Sequence, residues 1–305
     1  MNSIGHVPRI GILSPATEPG MRHWWNELRL GLNDLGYVEG SNVELIWRFA
    51  DGRFDRLLEL AAELAKLEVD IVIPATPPAI RAAKSACGKI PIVFPLGSDP
   101  VETGLVASLE RPGGTVTGMG TMSWRQCRHR LGFVRDILPK ARRVASICHS
   151  ANAALQLQVE EYRAAAGDLG LEVLALDFSA AEEIESMFEL AAKGEAEAIL
   201  PLSDPLALDN AKTIGKLSII RRIPVISPFQ EITEAGGILG YGPDLSTLFR
   251  RSASMVDQIL KGANPGDIAI GEPQKFDLSV NLKSSRALGL TIPESVISRA
   301  TYLVQ

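Results

Sequence analysis

Two aspartates stand in matching surroundings. Asp99 lies in GSDPV and Asp204 in LSDPL, each behind a short apolar run and each directly before a proline. A carboxylate so placed has two uses: it accepts hydrogen bonds from its own turn, or it faces a ligand ammonium. Thr76, in ATPPA, offers the opposite chemistry. Pro77 and Pro78 have no N–H, so the helix they begin exposes its first free N–H at Ala79, and a hydroxyl beside such a start suits a carboxylate or another anion. The same hydroxyl also serves as an ordinary helix cap.

Other side chains of useful type gather at the ends of apolar runs. Ser14 closes RIGILS, Ser98 precedes Asp99, His149 closes RVASICH, and Asn152 follows three residues later. Phe229 and Gln230 come after IPVIS, and Tyr241 sits in ILGYG. Trp24 and Trp25 are neighbours on one helical stretch, so one is expected in the core and the other, Trp24, over a ligand. Taken together, acids for an ammonium, a hydroxyl for a carboxylate and a few aromatics describe recognition of a small amino-acid-like or carboxylated solute.

Turnover is poorly supported. The first run continues into SPATEPG rather than a glycine-rich dinucleotide turn, and the second ends in Trp47-Arg48 with no acid for a ribose. The chain contains neither G-x-x-x-x-G-K-[ST] nor G-x-S-x-G. A racemase working from two faces wants matched cysteines, whereas Cys148 corresponds to Ser14. The three cysteines, Cys87, Cys127 and Cys148, have no metal-type spacing and read as small buried hydrophobes. No catalytic residue, metal or cofactor is therefore expected.

The elements that must hold these residues alternate. Apolar runs at Arg9–Ser14, Asn42–Phe49, Val69–Ala75 and Ile90–Phe94 are separated by helical patterns, the pattern of a parallel sheet covered on both faces. The second half replays the series: RVASICHS for RIGILSP, AEAILPL for VDIVIPA, and IPVISPF for IPIVFPL. The fold class is accordingly α/β, two Rossmann-like lobes with parallel sheets. One lobe is expected over 1–119 plus 243–275 and the other over 120–242 plus 276–305, joined by a three-segment hinge. Ligands of such sheets lie beyond the carboxyl ends of the strands, which is where the residues above fall.

Length and charge limit the partners. A chain of 305 residues is ample for two domains, and 46% hydrophobic with 22% charged residues is ordinary for a globular protein. The net charge of -5 gives no footprint for nucleic acid or an anionic membrane. No apolar run reaches the ~18 residues of a membrane span, and residues 1–8 lack the apolar core of a secretory signal.

Longer blocks carry a resemblance. RIGILSP (9–15), LGYVEGSNVEL (35–45), DGRFDRLLELAAEL (51–64), SDPVETGLVASLERPGG with TVTG (98–118), EAGGILGYGPDLSTLFRR (234–251), ILKGANPGDI (259–268) and KFDLSVNLKSSRALGLTIPESVISRA (275–300) resemble the ABC-transporter substrate-binding proteins of the TrpX-like family. The resemblance implies a type I periplasmic-binding fold and a periplasmic or otherwise extracytoplasmic location. It also implies a signal segment or lipid anchor, a permease with its ATPase as partners, and membrane contact only through these. Characterised relatives are associated with aromatic amino acids. The sequence departs from the family at Ala75-Thr76-Pro77-Pro78-Ala79, where G-T-P-A-A is usual, and the second proline removes one N–H from the anion site. Two other classes fit the same fold: a cytosolic ligand-sensing protein, and a lyase or isomerase using the cleft.

Overall fold

The β-branched run at the start of the chain forms β1 (Arg9–Ser14), whose Ile10, Ile12 and Leu13 are fully buried, as a strand covered on both faces requires. The structure, a computed structural model, describes residues 6–150 and 152–305. The chain divides into two compact units. One runs to Thr121 and resumes over Asp244–Pro273; the other comprises Met122–Pro243 and Gln274–Gln305. The backbone thus passes from one to the other after Thr121, Pro243 and Pro273.

In the first unit β1 is joined by β2 (Glu44–Phe49), β3 (Ile71–Pro74), β4 (Ile92–Phe94) and β5 (Val116–Gly118) in a parallel sheet of order β2-β1-β3-β4-β5. Helix Leu57–Lys66 buries Leu57, Leu60, Ala61 and Leu64, and helix Pro77–Ala86 buries Ala79, Ile80 and Ala83, in one apolar cluster with Leu13, Val72 and Phe94. Helix Glu18–Asp34 begins at Thr17, whose hydroxyl accepts the N–H of Gly20 at 3.4 Å, and Gly36, at φ 88°, follows its last turn.

That helix overturns one expectation: both tryptophans are buried. Helix Leu245–Leu260 supplies Phe249, on which Trp24 stacks with centroids 6.0 Å apart and against which Trp25 packs edge-on at 5.0 Å. Trp25 also meets Trp47 of β2 edge-on at 5.7 Å. A helix enclosed by a sheet on one side and a helix on the other has two buried faces, so adjacent positions both point inward. Gly31 permits the close approach, since a Cβ there would lie 2.5 Å from the carbonyl oxygen of Arg250.

The second unit repeats the plan. It contains β6 (Arg143–His149), β7 (Glu172–Phe178), β8 (Ile199–Pro201), β9 (Ile226–Ser227) and β10 (Leu239–Pro243), followed by β11 (Phe276–Asn281) and β12 (Tyr302–Val304). The parallel set β7-β6-β8 connects through one bridge, Ile199 to Val225, to the set β9-β10-β11-β12, in which only the β10–β11 pairing is antiparallel. The order β7-β6-β8-β9-β10 matches that of the first unit. Strand β9 is short because Pro224 and Pro228 bracket it and cannot donate to a ladder. This is the two-lobed α/β architecture of type I periplasmic-binding proteins.

Replacing Gly31 by alanine forces the two helices of the first unit apart. We expect the substitution to lower stability by about 1–3 kcal/mol, measured by urea unfolding, with an unchanged far-ultraviolet circular dichroism spectrum.

Candidate functional site

Every strand of β1 to β5 runs the same way, so their carboxyl ends share one edge of the first unit. Ser14 ends β1, fully buried, with its hydroxyl 3.5 Å from the carbonyl oxygen of Ala16. Thr76 follows β3 and stands at the start of helix Pro77–Ala86 with φ 78° and ψ 152°, a region that β-branched residues avoid. Its backbone is held there by two bonds: its N–H donates to Leu96 O at 2.9 Å, and its carbonyl accepts from Ile80 at 3.0 Å. The side chain does not cap the helix. At 3% exposure, the Thr76 hydroxyl has no hydrogen-bond partner among the described residues. The backbone is strained, the buried hydroxyl is unused, and the first available N–H of the following helix is that of Ala79, a combination whose chemistry suits an anion.

The next loop is organised differently. Ser98 is half-buried at φ 50°, and its carbonyl accepts from the N–H of Thr121 at 2.9 Å. Asp99 is buried; its Oδ1 accepts from the N–H of Glu102 at 3.3 Å, and its carbonyl accepts from the N–H of Thr103 at 3.0 Å. The Asp99 carboxylate therefore shapes its own turn, one of the two uses its sequence context allowed.

In the second unit a polar cluster lies at the ends of β6 and β8. Asp204 Oδ1 accepts from the N–H of Leu206 at 2.8 Å, capping the turn Pro205–Asp209, and Oδ2 accepts from Asn152 Nδ2 at 2.9 Å. His149, stacked on Phe178 at 5.7 Å, brings its Nδ1 to 3.6 Å from Asp204 Oδ1, with both side chains buried. Asp204 thus has a cap, an amide and an imidazole around it, but no lysine or arginine among its described partners. The structure brings His149, Asn152 and Asp204 together, which the sequence named separately.

The remaining candidates are more engaged in scaffolding. Phe229 is buried ahead of helix Gln230–Ala235, its backbone N–H and carbonyl both bonded to the Ser227 hydroxyl at 3.0 and 2.7 Å. Gln230 donates to Glu234 at 2.9 Å. The ring of Tyr241 packs among His129, Phe133 and Phe276, with centroids 5.5, 5.5 and 6.0 Å away. Trp24 spends one ring face on Phe249.

Two residues not singled out in the sequence belong to this description. Gln158, on helix Gln156–Asp168, accepts at Oε1 from the N–H of Ser203 at 3.2 Å, beside Asp204. Its signal was a polar residue on the apolar face of Leu155, Val159 and Tyr162. Arg130, on helix Cys127–Ile137, is fully buried and bonded to Tyr162 and to the carbonyls of Tyr241 and Ser123. The 3.6-residue spacing of Cys127, Leu131, Val134 and Ile137 marks that helix.

Among the described residues no group of three or more His, Cys, Asp or Glu is arranged to hold a metal ion, and no helix is long and apolar enough to cross a membrane. A family model described as ABC transporter substrate binding protein matches residues 9–304. A curated relative, the tyrosine-binding protein of Clostridioides difficile, is 24% identical over 281 residues, covering 92% of this chain and 81% of the relative. The crystal structure of a conserved domain protein from Vibrio cholerae matches with a TM-score of 0.93 at 25% identity, over 98% of this chain and 100% of that one. An ABC domain from Streptococcus pneumoniae in complex with L-Trp matches with a TM-score of 0.92 at 24% identity, again over 98% and 100% of the two chains.

Two outcomes follow from the local chemistry. Substituting Thr76 by glycine removes backbone strain and an unsatisfied hydroxyl, and we expect it to raise the solute-free protein's stability by about 1–2 kcal/mol in chemical denaturation. Burial pushes the Cys87 thiol up to about 11; burial, followed by the charges of Asp177 and Asp204, pushes that of Cys148 up to about 12. Both folded values lie above the ordinary 9.0, so these thiols favour the fold fully below about pH 9, and that contribution is lost as pH rises through 11 to 12. At pH 8 an aromatic disulfide reagent should leave both thiols unmodified until denaturant is added.

Proposed function

We propose, because this chain belongs to the ABC transporter substrate-binding protein family, that it captures a small amino-acid-like or carboxylated solute and delivers it to the permease and ATPase of an importer. Members of this family are solute-binding proteins rather than enzymes. The work is done outside the cytoplasm, where such proteins meet their solutes. An aromatic amino acid is the leading candidate. The tyrosine-binding relative and the L-Trp complex support that choice, together with the complementary chemistry of the two strand-end faces.

The observation that carries the reading is that contrast. Among the described residues, the first unit holds a hydroxyl at a helix start strained and without a partner, and the second holds a buried carboxylate beside an amide and an imidazole with no lysine or arginine bonded to it. The first suits a carboxylate, the second an ammonium. A solute carrying both groups matches both chemistries, and the form of the protein with the higher affinity for it is favoured in proportion to that difference in affinity. No bond is made or broken in the process. The permease then receives a protein whose population has shifted, and transport follows from that shift.

Purified protein subjected to native mass spectrometry and then to a thermal-shift panel of amino acids and aromatic acids tests the reading. Saturation at 100 times Kd should add about 2.7 kcal/mol of stability for the true solute. Asp204→Asn keeps the cap and removes the charge, and it should weaken that solute at least about tenfold, the loss of one charge-assisted hydrogen bond. Should Asp99→Ala and Asp204→Ala both leave affinity unchanged, the ammonium assignment is wrong.

A further inference from the structure

Arg81 is a partly buried cation without a counter-ion. It lies on helix Pro77–Ala86, and among the described residues no carboxylate or carbonyl takes an ion pair or hydrogen bond from its guanidinium. Other partly buried arginines of the same unit are neutralised, Arg48 by Glu63 at 2.7 Å, Arg9 by Glu44 at 3.0 Å and Arg56 by Asp51 at 3.5 Å. Burial alone pushes the Arg81 guanidinium below the ordinary arginine range, and no acid offsets that effect. A charge drawn partly out of water and left unpaired is unfavourable, and an uncharged side chain at that position avoids the penalty.

The helix shows where that charge lies. Pro77, Arg81 and Lys84 share one flank, at intervals of four and three residues. Lys84 Nζ donates to Leu105 O at 2.6 Å, which sets the flank along the loop that follows β4. Arg81 is one turn closer than Lys84 to the helix start, and hence to the carboxyl edge of the sheet, where Thr76 keeps its unpartnered hydroxyl. Pro77 and Pro78 have no N–H, so the helix start presents few donors and only a partial charge. Holding an ionised oxyanion away from water takes more than that, and a guanidinium supplies a full charge on a two-pronged fork.

We propose that Arg81 is the charged member of an anion site in the first unit and a determinant of specificity: with the Thr76 hydroxyl it holds one ionised carboxylate of the solute, and it excludes solutes that present a neutral amide or ester there. This rests on the solute-capture reading above and narrows it. The substrate class is organic acids, with or without an amino group.

The probes are the common amino acids, aromatic and dicarboxylic acids, the primary amides and methyl esters of each, and sugars and polyols. Each is titrated by calorimetry against the full chain and its variants. An acid that binds should exceed its amide at least about tenfold in affinity, as one charge-assisted hydrogen bond requires. Arg81→Gln should bring acid and amide to within about threefold, and Arg81→Lys, which keeps the charge without the fork, should fall between. In a double-variant cycle with Thr76→Val, the combined loss of affinity for the acid should be smaller than the product of the single losses by about threefold or more, because both residues hold the same group. Without solute, Arg81→Gln should unfold at the same urea concentration as the unsubstituted protein or a higher one, since no internal bond is broken.

If Arg81→Gln destabilises the solute-free protein, the arginine is structural and the proposal is overturned. It is overturned as well if acids and their amides bind the unsubstituted protein alike, if Arg81→Gln preserves their ratio, if the cycle is additive, or if only neutral solutes bind. Solute capture survives each of these results as long as any probe binds, and it fails only when none does.

Discussion

Parallel pairing is the constraint from which the rest of this molecule follows. Strands that all run the same way need a crossover after each one, and the crossovers leave every carboxyl end on one edge of the sheet. There the backbone turns from strand to helix, so the helix's first N–H groups and the last side chain of the strand come together without further contrivance. Both units obey this rule with the same strand order, yet their strand ends differ in character. Ser14 closes β1 while Cys148, its counterpart by the repeat, is followed by His149 at the end of β6; the first unit carries a strained threonine hydroxyl after β3, and the second a buried carboxylate, Asp204, after β8. Duplication supplies the frame twice, and divergence at a few loop positions gives the two copies different strand ends.

The strand ends are also where local stability is given up. A threonine in a glycine-like conformation, a serine at φ 50° after β4 and the Asn152 amide oxygen, which has no partner among the described residues, fall at these ends. The cores behind them are apolar and closely filled, with Phe94, Phe188 and Phe249 fully enclosed. Each strained or unmet group costs on the order of 1–3 kcal/mol, an amount that a single well-buried Leu or Phe offsets. Such a distribution suits a protein that must remain folded while empty and still gain from a guest.

Periodicity carried much of the fold in the sequence. The runs RIGILS and RVASICH and the helix stripe of Leu57, Leu60, Ala61 and Leu64 stand out because they are long and regular. What escaped was short or masked by other signals. Strand β5, with three residues, is too short to show a period and gains its strand character from neighbours already in place, whereas the two-residue β9 is legible because IPVISPF repeats IPIVFPL. Helix Cys127–Ile137 keeps its apolar spacing at Cys127, Leu131, Val134 and Ile137, but Arg128, His129, Arg130 and Arg135 among those positions obscure the stripe. The double burial of Trp24 and Trp25 depends on Phe249, more than two hundred residues away, which no local rule anticipates. For the site, residue type singled out Thr76 and Asp204 as candidates. Which of their atoms are already bonded is tertiary information, and Gln158 becomes visible only through Ser203.

Two buried groups of opposite charge in the second unit are put to different ends. Arg130, with no exposed surface, gives its Nε–H to the Tyr162 hydroxyl at 2.6 Å, Nη1 to Tyr241 O at 3.1 Å, and Nη2 to Ser123 O at 3.2 Å and Cys127 Sγ at 3.5 Å. None of these is a carboxylate. Burial pushes the Tyr162 hydroxyl well above the ordinary tyrosine range, so it accepts as a neutral oxygen and does not balance the charge. A buried cation without a counter-ion is costly, by several kcal/mol, and its planar fork is what an apolar side chain lacks. The fork joins Ser123, two residues past the crossing at Thr121, to Tyr241, two residues short of Pro243, at which the chain crosses back. The points where the chain enters and leaves this unit are thereby tied to one rigid group in its core. Had Arg130 been spent on Asp204, the ion pair would have neutralised the acid at the strand end and left both crossings unsupported. Using the cation on backbone carbonyls instead fixes the scaffold and leaves the Asp204 carboxylate with its cap, the Asn152 amide and the His149 imidazole.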